Sequence, residues 1–516
     1  MQKNYSLFLV TCLLLIVSVG YSQTRYIDQV FTEVEVETDV TYGVNATIIL
    51  LGQFNEAVPQ ELKMDIYQPA GDTLQDRPLV VYFHTGNFIP FPQNNGPTGT
   101  RKDSTVVEIA NRLAKMGYVC AVASYRQGWN PIADDEQIRR YTLINAAYRG
   151  VQDARTVMKF FRRNVAEFSN QYGVDPDKAV VWGQGTGGYI SLNTAALDNV
   201  AEIGEAGGKF VLDAGGTAIP MVIEQINGDV NVDQFGVIPP QIPIPGLPVG
   251  DTLCYPNHVG YSGEYAMAVN LGGALGDTSW IDQGMIPVVS YQVPTDPFAP
   301  YREGDVIVPG FGLRVVEVFG AYVVQTLQDR YGNNAAFAGE TYDGDFSEVA
   351  NSKNDGLDGL FPLIGTSGPN DSAPWEWWNP SDFPMGVDPS TGLDNNPDMS
   401  EQKANLYIDT IMAYYAPRAC EVLGLECGLT SVTQVAAEEA IIAAPVPAID
   451  QVRIESKDGS NMKTIHVYDM QGRLLKADEG INSPVHILRK NQLPTGQYIL
   501  RVFFEEKVTS QFILFQ

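Results

Sequence analysis

Between Asp65 and Pro300, short and wholly apolar runs alternate with stretches whose apolar residues recur about every 3.6 positions. PLVVYFH, YVCAVASYR, KAVVWG, YAMAVNLGG and IPVVSYQ are each built on a short apolar run, as expected of strands covered on both faces, and LKMDIYQP is an early edge strand. TVVEIANRLAKMG and TLINAAYRGVQDARTVMKFFRRNVAEF carry the helical period between them. This alternation predicts an α/β fold, a doubly wound and mostly parallel sheet. From about Val452 the pattern changes to short strands of alternating polarity, VRIES, TIHVYDM, VHILRK, QYILRVFFEE and SQFILFQ, separated by turns such as MQGR and PTGQ. That predicts a small all-β sandwich at the C-terminus.

Two stretches break the alternation. From about 204 to 261 lies an insertion containing GVIPPQIPIPGLPVG, too rich in proline for a central strand or a helix and read as a loop or lid. From about Tyr342 to Ser400 the chain is rich in Gly, Pro, Asn and Asp and includes APWEWWNPSDFP; irregular segments of this length usually border a site. A closing helix, MSEQKANLYIDTIMAYYAPRACEVLGL, ends near Gly424. The expected division is a signal peptide over 1–22, a large domain over 23–428, a linker over 429–443 and the sandwich over 444–516.

The charge changes the picture of partners. Among 516 residues, 61 acidic against 33 basic give a net charge of −28, which repels nucleic acid and anionic lipid. The first 22 residues, MQKNYSLFLVTCLLLIVSVGYS, place a Lys before an apolar run that is too short to span a membrane, the arrangement of a secretory signal. No later stretch reaches the roughly 20 apolar residues of a spanning helix. Export permits disulfides, and Cys420 and Cys427, seven apart at the end of the closing helix, are expected to form one. Cys120 lies in an apolar strand as a small buried thiol, and no cysteine spacing suggests zinc.

The tail resembles the C-terminal sorting domain of proteins exported by the type IX secretion route, on the strength of APVPAIDQVRIES, VYDMQGRLL and LPTGQYILRV. The resemblance implies the type IX secretion machinery as a partner and delivery to the cell surface or beyond. From its residues alone, a terminal sandwich is also compatible with a carbohydrate-binding or spacer module. The large domain resembles the α/β-hydrolase fold, in particular its carboxylesterase and feruloyl or acetyl esterase-like branches. The likeness is carried by VVYFHTGNF, ASYRQGWNP, NAAYRGVQDARTVMKFF, GVDPDKAVVWGQGTGGYISL and IPVVSYQVPTDPFAPY.

That resemblance implies a catalytic Ser-His-Asp triad with the serine inside G-x-S-x-G. Here the turn reads Gly183-Gln184-Gly185-Thr186-Gly187, which puts Gly185 where the serine belongs and Thr186 one position later, at an oxyanion donor. His84, Thr85 and Gly86 match the loop usually written HGG. Asp296 in TDPFAPY matches the triad acid; it reads equally as a turn cap before Pro297. Of four histidines, His84 is in the oxyanion loop, His258 in the insertion, and His466 and His486 in the tail, so none follows Asp296 within the large domain.

These residues lead to the expectation of an exported, hydrolase-like protein that binds or takes part in a surface assembly without catalysing. The ligand would be a glycan, an ester-bearing fragment or a protein, held around His84, Thr85, Gly86, Gly185, Thr186 and Asp296. Trp375, Trp377 and Trp378 are either a stacking platform for such a ligand or a packed loop anchor. The alternative is a carboxylic ester hydrolase with an unorthodox site of Thr186, His258 and Asp296; a purely structural role in a surface layer is a third. No cofactor or metal is expected, and NSKNDGLDGLF with Asp343 and Asp345 is only a weak likeness of a calcium loop, for which turn formation suffices.

Overall fold

The computed structural model describes residues 24–213, 216–242, 244, 247–337, 346–364, 370–383, 387–388, 390–427, 433–434, 440–469, 474–491, 493–504 and 507–516. The segment expected to be a signal peptide, most of the expected linker, and Asp343 and Asp345 lie outside them.

Eight strands form one sheet: β1 (Val34–Thr47), β2 (Val58–Pro69), β3 (Arg77–Phe83), β4 (Val119–Ala123), β5 (Val174–Gln184), β6 (Met267–Leu271), β7 (Val288–Gln292) and β8 (Leu360–Pro362). Their order across the sheet is β1-β2-β4-β3-β5-β6-β7-β8. β1 and β2 pair antiparallel, as do β2 and β4, and every later pairing is parallel. The segment LKMDIYQP is therefore the second strand and not the edge. The edge is β1, which pairs with it over Val34 to Thr47 through two register shifts. Those shifts break the polar and apolar alternation that would have marked β1 as a strand.

Alternate residues of the central strands serve opposite faces, as the two-residue period requires. Leu79, Val81 and Phe83 of β3 pack with helix α2 (Glu136–Glu167) and helix α3 (Thr186–Ala196). Val80 and Tyr82 pack with helix α1 (Ser104–Met116) and the closing helix, α5 (Glu401–Leu423). Between them in the chain, α4 (Ala321–Tyr331) follows a hairpin of Glu303–Val308 with Leu313–Phe319. α5 runs from Glu401 to Leu423, begins at a Ser400 cap and ends at Gly424 in the left-handed region; Cys420 in its last turn is bridged to Cys427 just beyond it. Cys120 and Cys254 are buried free thiols.

The insertion follows the outside of α2 and the edge of β1. Tyr148 donates to Gly228 O at 2.8 Å and Gln152 to Asn227 O at 2.8 Å. The Asn257 amide lies along β1, accepting from Val44 N at 3.1 Å and donating to Val44 O at 2.9 Å. Inside the sheet domain, Arg126 and Asp153 form an ion pair that is wholly withdrawn from solvent, and Arg126 Nη2 also donates to Gln152 Oε1 at 2.9 Å, tying the end of β4 to α2. Desolvation of a charge pair is affordable only with such additional hydrogen bonds.

The C-terminal region is separate in architecture. Ile441–Ala444, Gln451–Ser456 and Val485–Arg489 form one antiparallel sheet. Met462–Asp469, Leu474–Ser483, Gly496–Phe503 and Lys507–Phe515 form a second. Val452, Ile454, Ile465, Val467, Leu488 and Leu500 make a core between them.

Candidate active site around the strand-to-helix turn

β5 delivers the chain to the C-terminal edge of the sheet, where ligands of open α/β folds bind, and α3 starts immediately after Gly185. The turn is as tight as its glycines permit. A Cβ on Gly187 would lie 2.0 Å from the Phe83 carbonyl oxygen. Gly185 has φ +54° and ψ −119°, a conformation that side-chain-bearing residues adopt only under strain. The bend that presents a nucleophile in serine hydrolases is thus formed around a residue with no side chain.

The space above that residue is taken by Thr85. A Cβ built on Gly185 would meet Thr85 Oγ1 at 2.2 Å and Thr85 Cβ at 2.9 Å. The β3 loop that carries Thr85 is held by its neighbours. The buried His84 ring donates from Nδ1 to Thr85 O at 2.6 Å, and burial pushes its pKa down to about 4, which keeps the imidazole neutral at physiological pH. Tyr125 donates to His84 O at 3.1 Å and shares a 2.9 Å hydrogen bond with Thr186 Oγ1. The Thr186 hydroxyl, in a residue 9% exposed, is thus engaged by a tyrosine.

The structure does not bring Thr186, His258 and Asp296 together. His258 Nε2 donates to Tyr42 O of β1 at 2.7 Å, and β1 is four strand spacings from β5, about 19 Å. Asp296 follows β7, beyond the same edge of the sheet as Gly185. Its Oδ1 accepts from Phe298 N at 2.8 Å and Ala299 N at 3.2 Å, the geometry of a turn cap. Its Oδ2 lies 3.7 Å from where Gly272 would carry a Cβ. Burial, with a smaller contribution from the Asp371 carboxylate, pushes the Asp296 pKa up to about 7.

The residue that sequence reasoning missed is Glu376. It follows β8, the part of the chain where the family's histidine would come, and accepts from Gln184 Nε2 at 2.9 Å and Thr98 Oγ1 at 3.3 Å. Tyr82 in turn donates to Gln184 Oε1 at 2.6 Å. Burial first, then the charge of Asp103, pushes the Glu376 pKa up to about 8, with Asp296 adding to the rise. Asp103, accepting from Gly99 N at 2.7 Å, is itself pushed up to about 6 by burial. In the sequence Glu376 is hidden between tryptophans, and only its contact with the residue preceding Gly185 distinguishes it.

The tryptophans divide. Trp375 and Trp378 are 1% and 7% exposed, so they anchor their loop and present no stacking face; Trp377 alone is half-buried. Trp375 reaches within 3.2 Å of the Gly272 Cβ position, and Trp375 O accepts from Thr105 Oγ1 at 2.8 Å. The segment likened to a calcium loop is a turn stitched by buried Asn354, which donates to Leu357 O and Leu360 O at 3.0 and 2.9 Å. Among the described residues, no cluster of three or more His, Cys, Asp or Glu is placed to hold a metal ion, and no helix is long and apolar enough to cross a membrane.

Two parts of the chain match known family models. Residues 64–237 match the family model described as BD-FAE, and residues 443–516 match the secretion system C-terminal sorting domain. A curated relative, secreted lipase 5 of Gibberella zeae, is 26% identical over 246 residues, covering 44% of this chain and 41% of its own length. The chain thus spans about two fifths of that relative. Among solved structures, esterase 2 of Thermogutta terrifontis phosphorylated by paraoxon aligns at 17% identity over 52% of this chain and 74% of that one, with a TM-score of 0.28. Esterase B of Lactobacillus rhamnosis aligns at 20% identity over 34% and 45%, with a TM-score of 0.21. The sorting domain places the protein in the secreted or cell-surface fraction and makes it a client of type IX secretion. The chain combines an α/β domain that matches the BD-FAE family model over residues 64–237 with a C-terminal segment, residues 443–516, that matches the secretion system C-terminal sorting domain.

Proposed function

We propose that this exported, hydrolase-like protein binds at the cleft above β5 and does not cleave esters through the turn at Gly185. The observation that carries the reading is Thr85: its side chain fills the volume a nucleophile on residue 185 would need. The positions of the four histidines support it, since His84 is neutral and bonded to its own loop and His258 is bonded to β1. In serine hydrolases, removing the nucleophile or the base lowers turnover by about a millionfold, and losing both adds little. The ligand is a glycan, an ester-bearing fragment or a protein, met by the His84-Thr85-Gly86 loop, Thr186, Asp296 and Trp377. In the test, purified mature protein is treated with a fluorophosphonate probe and with p-nitrophenyl acetate, and screened for binding on glycan arrays and by pull-down. No covalent adduct, turnover equal to buffer and retention of a ligand are expected; a stoichiometric adduct overturns the reading.

A further inference from the structure

The irregular segment that carries Glu376 runs on to α5, and close to where they meet a lysine, an asparagine and an aspartate are packed together. Lys403 lies in the first turn of α5, and its backbone N–H donates to the Ser400 hydroxyl at 3.1 Å. Its Nζ donates to Asn396 Oδ1 at 2.9 Å and to Pro397 O at 2.7 Å. Asp371 Oδ2 stands 3.6 Å from the same nitrogen. All three side chains are withdrawn from solvent: Asp371 is 0% and Asn396 3% exposed, and the Lys403 side chain 11%.

These surroundings are poor for charge. A cation in the first turn of a helix opposes the helix dipole, and both Asp371 oxygens are buried without a hydrogen bond. Desolvation therefore lowers the Lys403 pKa and raises that of Asp371, each against the pull of the other's charge. The two shifts favour a neutral amine beside a neutral acid. A neutral amine offers a lone pair, and what it faces is a carboxamide. A C=O bond is about 1.2 Å long, so Asn396 Cγ is no more than about 4 Å from Nζ. Groups held in such proximity by a fold react as if at very high concentration. The usual competing reaction of an asparagine, cyclisation onto the next backbone N–H, is closed here because residue 397 is proline.

We propose that the folded chain itself joins Lys403 to Asn396 by an amide bond between their side chains, with Asp371 carrying the proton. In the step, Asp371 accepts one proton from the Nζ ammonium, and the freed lone pair forms a bond to Asn396 Cγ. The Cγ–Nδ2 bond breaks, a second Nζ proton passes to Nδ2 by way of the same carboxyl, and Nδ2 leaves as ammonia. Atoms and charge balance without an oxidant, a reductant or a cofactor. The departing nitrogen is the one that donates to Glu376 O at 2.8 Å, so that hydrogen bond is given up. Ser372 N keeps its bond to Asn395 O at 2.8 Å, and through it the link fastens the start of the Glu376 segment to α5. The proposal stands whether or not the cleft over Gly185 binds a ligand.

The test is peptide mapping of the mature chain by mass spectrometry. Digestion before aspartate cuts between Pro397 and Asp398, and the peptide with Asn396 is expected to stay attached to the one with Lys403. The joined pair should weigh about 17 Da less than the two peptides together, the mass of the ammonia lost. Trypsin is expected to leave the chain uncut after Lys403. Mapping is needed beyond intact mass because Gln23, at the expected mature N-terminus, loses the same mass when it cyclises. Since the reaction needs only the folded chain, the link is expected in protein made in any host. Asn396→Ala and Lys403→Arg should abolish the joined pair, and Asp371→Asn, checked for folding by circular dichroism, should leave the peptides separate. A pair that joins equally well in Asp371→Asn would overturn the part given to the carboxyl. The parent chain decides the rest without any variant: two separate peptides of full mass from folded protein would overturn the inference.

Discussion

The turn above β5 and the pocket beside β1, walled by Tyr42, Phe160, Asn164, Phe168, Tyr255 and His258, both gather aromatic and polar groups, yet their polar atoms are used differently. Around Gly185, Tyr125, Thr186, His84, Gln184 and Glu376 bond to one another across three loops. In the pocket, the Asn164 oxygen and one His258 nitrogen bond to nothing. The first arrangement holds a turn in shape; the second leaves two acceptors shut away from solvent without a partner. Mutual satisfaction of these polar groups helps to hold the strand-to-helix frame in shape.

The comparison breaks most sharply at Gly187. Gly187→Ala would drive a methyl to 2.0 Å from the Phe83 carbonyl, which is backbone and cannot turn away. Loss of about 4–5 kcal/mol or more is expected, seen as failure to accumulate folded protein, while a change such as Phe168→Ala at the pocket mouth should leave folding intact. Next in size is Gly185→Ser, which adds strain at φ +54° and a clash with Thr85. About 2–4 kcal/mol of destabilisation is expected in urea unfolding, with no gain of esterase. Adding Thr85→Gly should restore at least half of that loss, giving a clear coupling in a double-mutant cycle, because it empties the contested space.

The smallest expected effect concerns the carboxyl groups. Glu376 binds its proton more tightly in the folded protein, near pH 8, than when unfolded, near 4.5. Its contribution to stability is therefore fully present below about pH 4.5 and is lost as pH rises through about 8. Glu376→Gln removes this titration while keeping an acceptor for Gln184. Its melting temperature should equal that of the parent at pH 4 and exceed it by about 2–4 °C at pH 8, measured by calorimetry across that range.

Much of the fold was legible because the central strands are covered on both sides and so read as unbroken apolar runs, VVYF and AVVW among them. β1 was not legible: one of its faces meets solvent, acidic residues occupy it, and two register shifts disturb its period. The bare residue at 185 could be read directly from the turn motif. What stands over it could not, because Thr85 is a hundred residues away and its position depends on His84 and Tyr125. Glu376 and the pocket beside β1 were hidden for the same reason, since each is made by segments that only folding brings together.

The Asn257 carboxamide, lying along β1 and answering both main-chain groups of Val44, acts as a surrogate for one residue of a ninth strand. A sheet margin so blunted gives a neighbouring molecule no purchase there for edge-to-edge growth. For a protein concentrated at a crowded cell exterior, one amide side chain helps to keep the molecules apart.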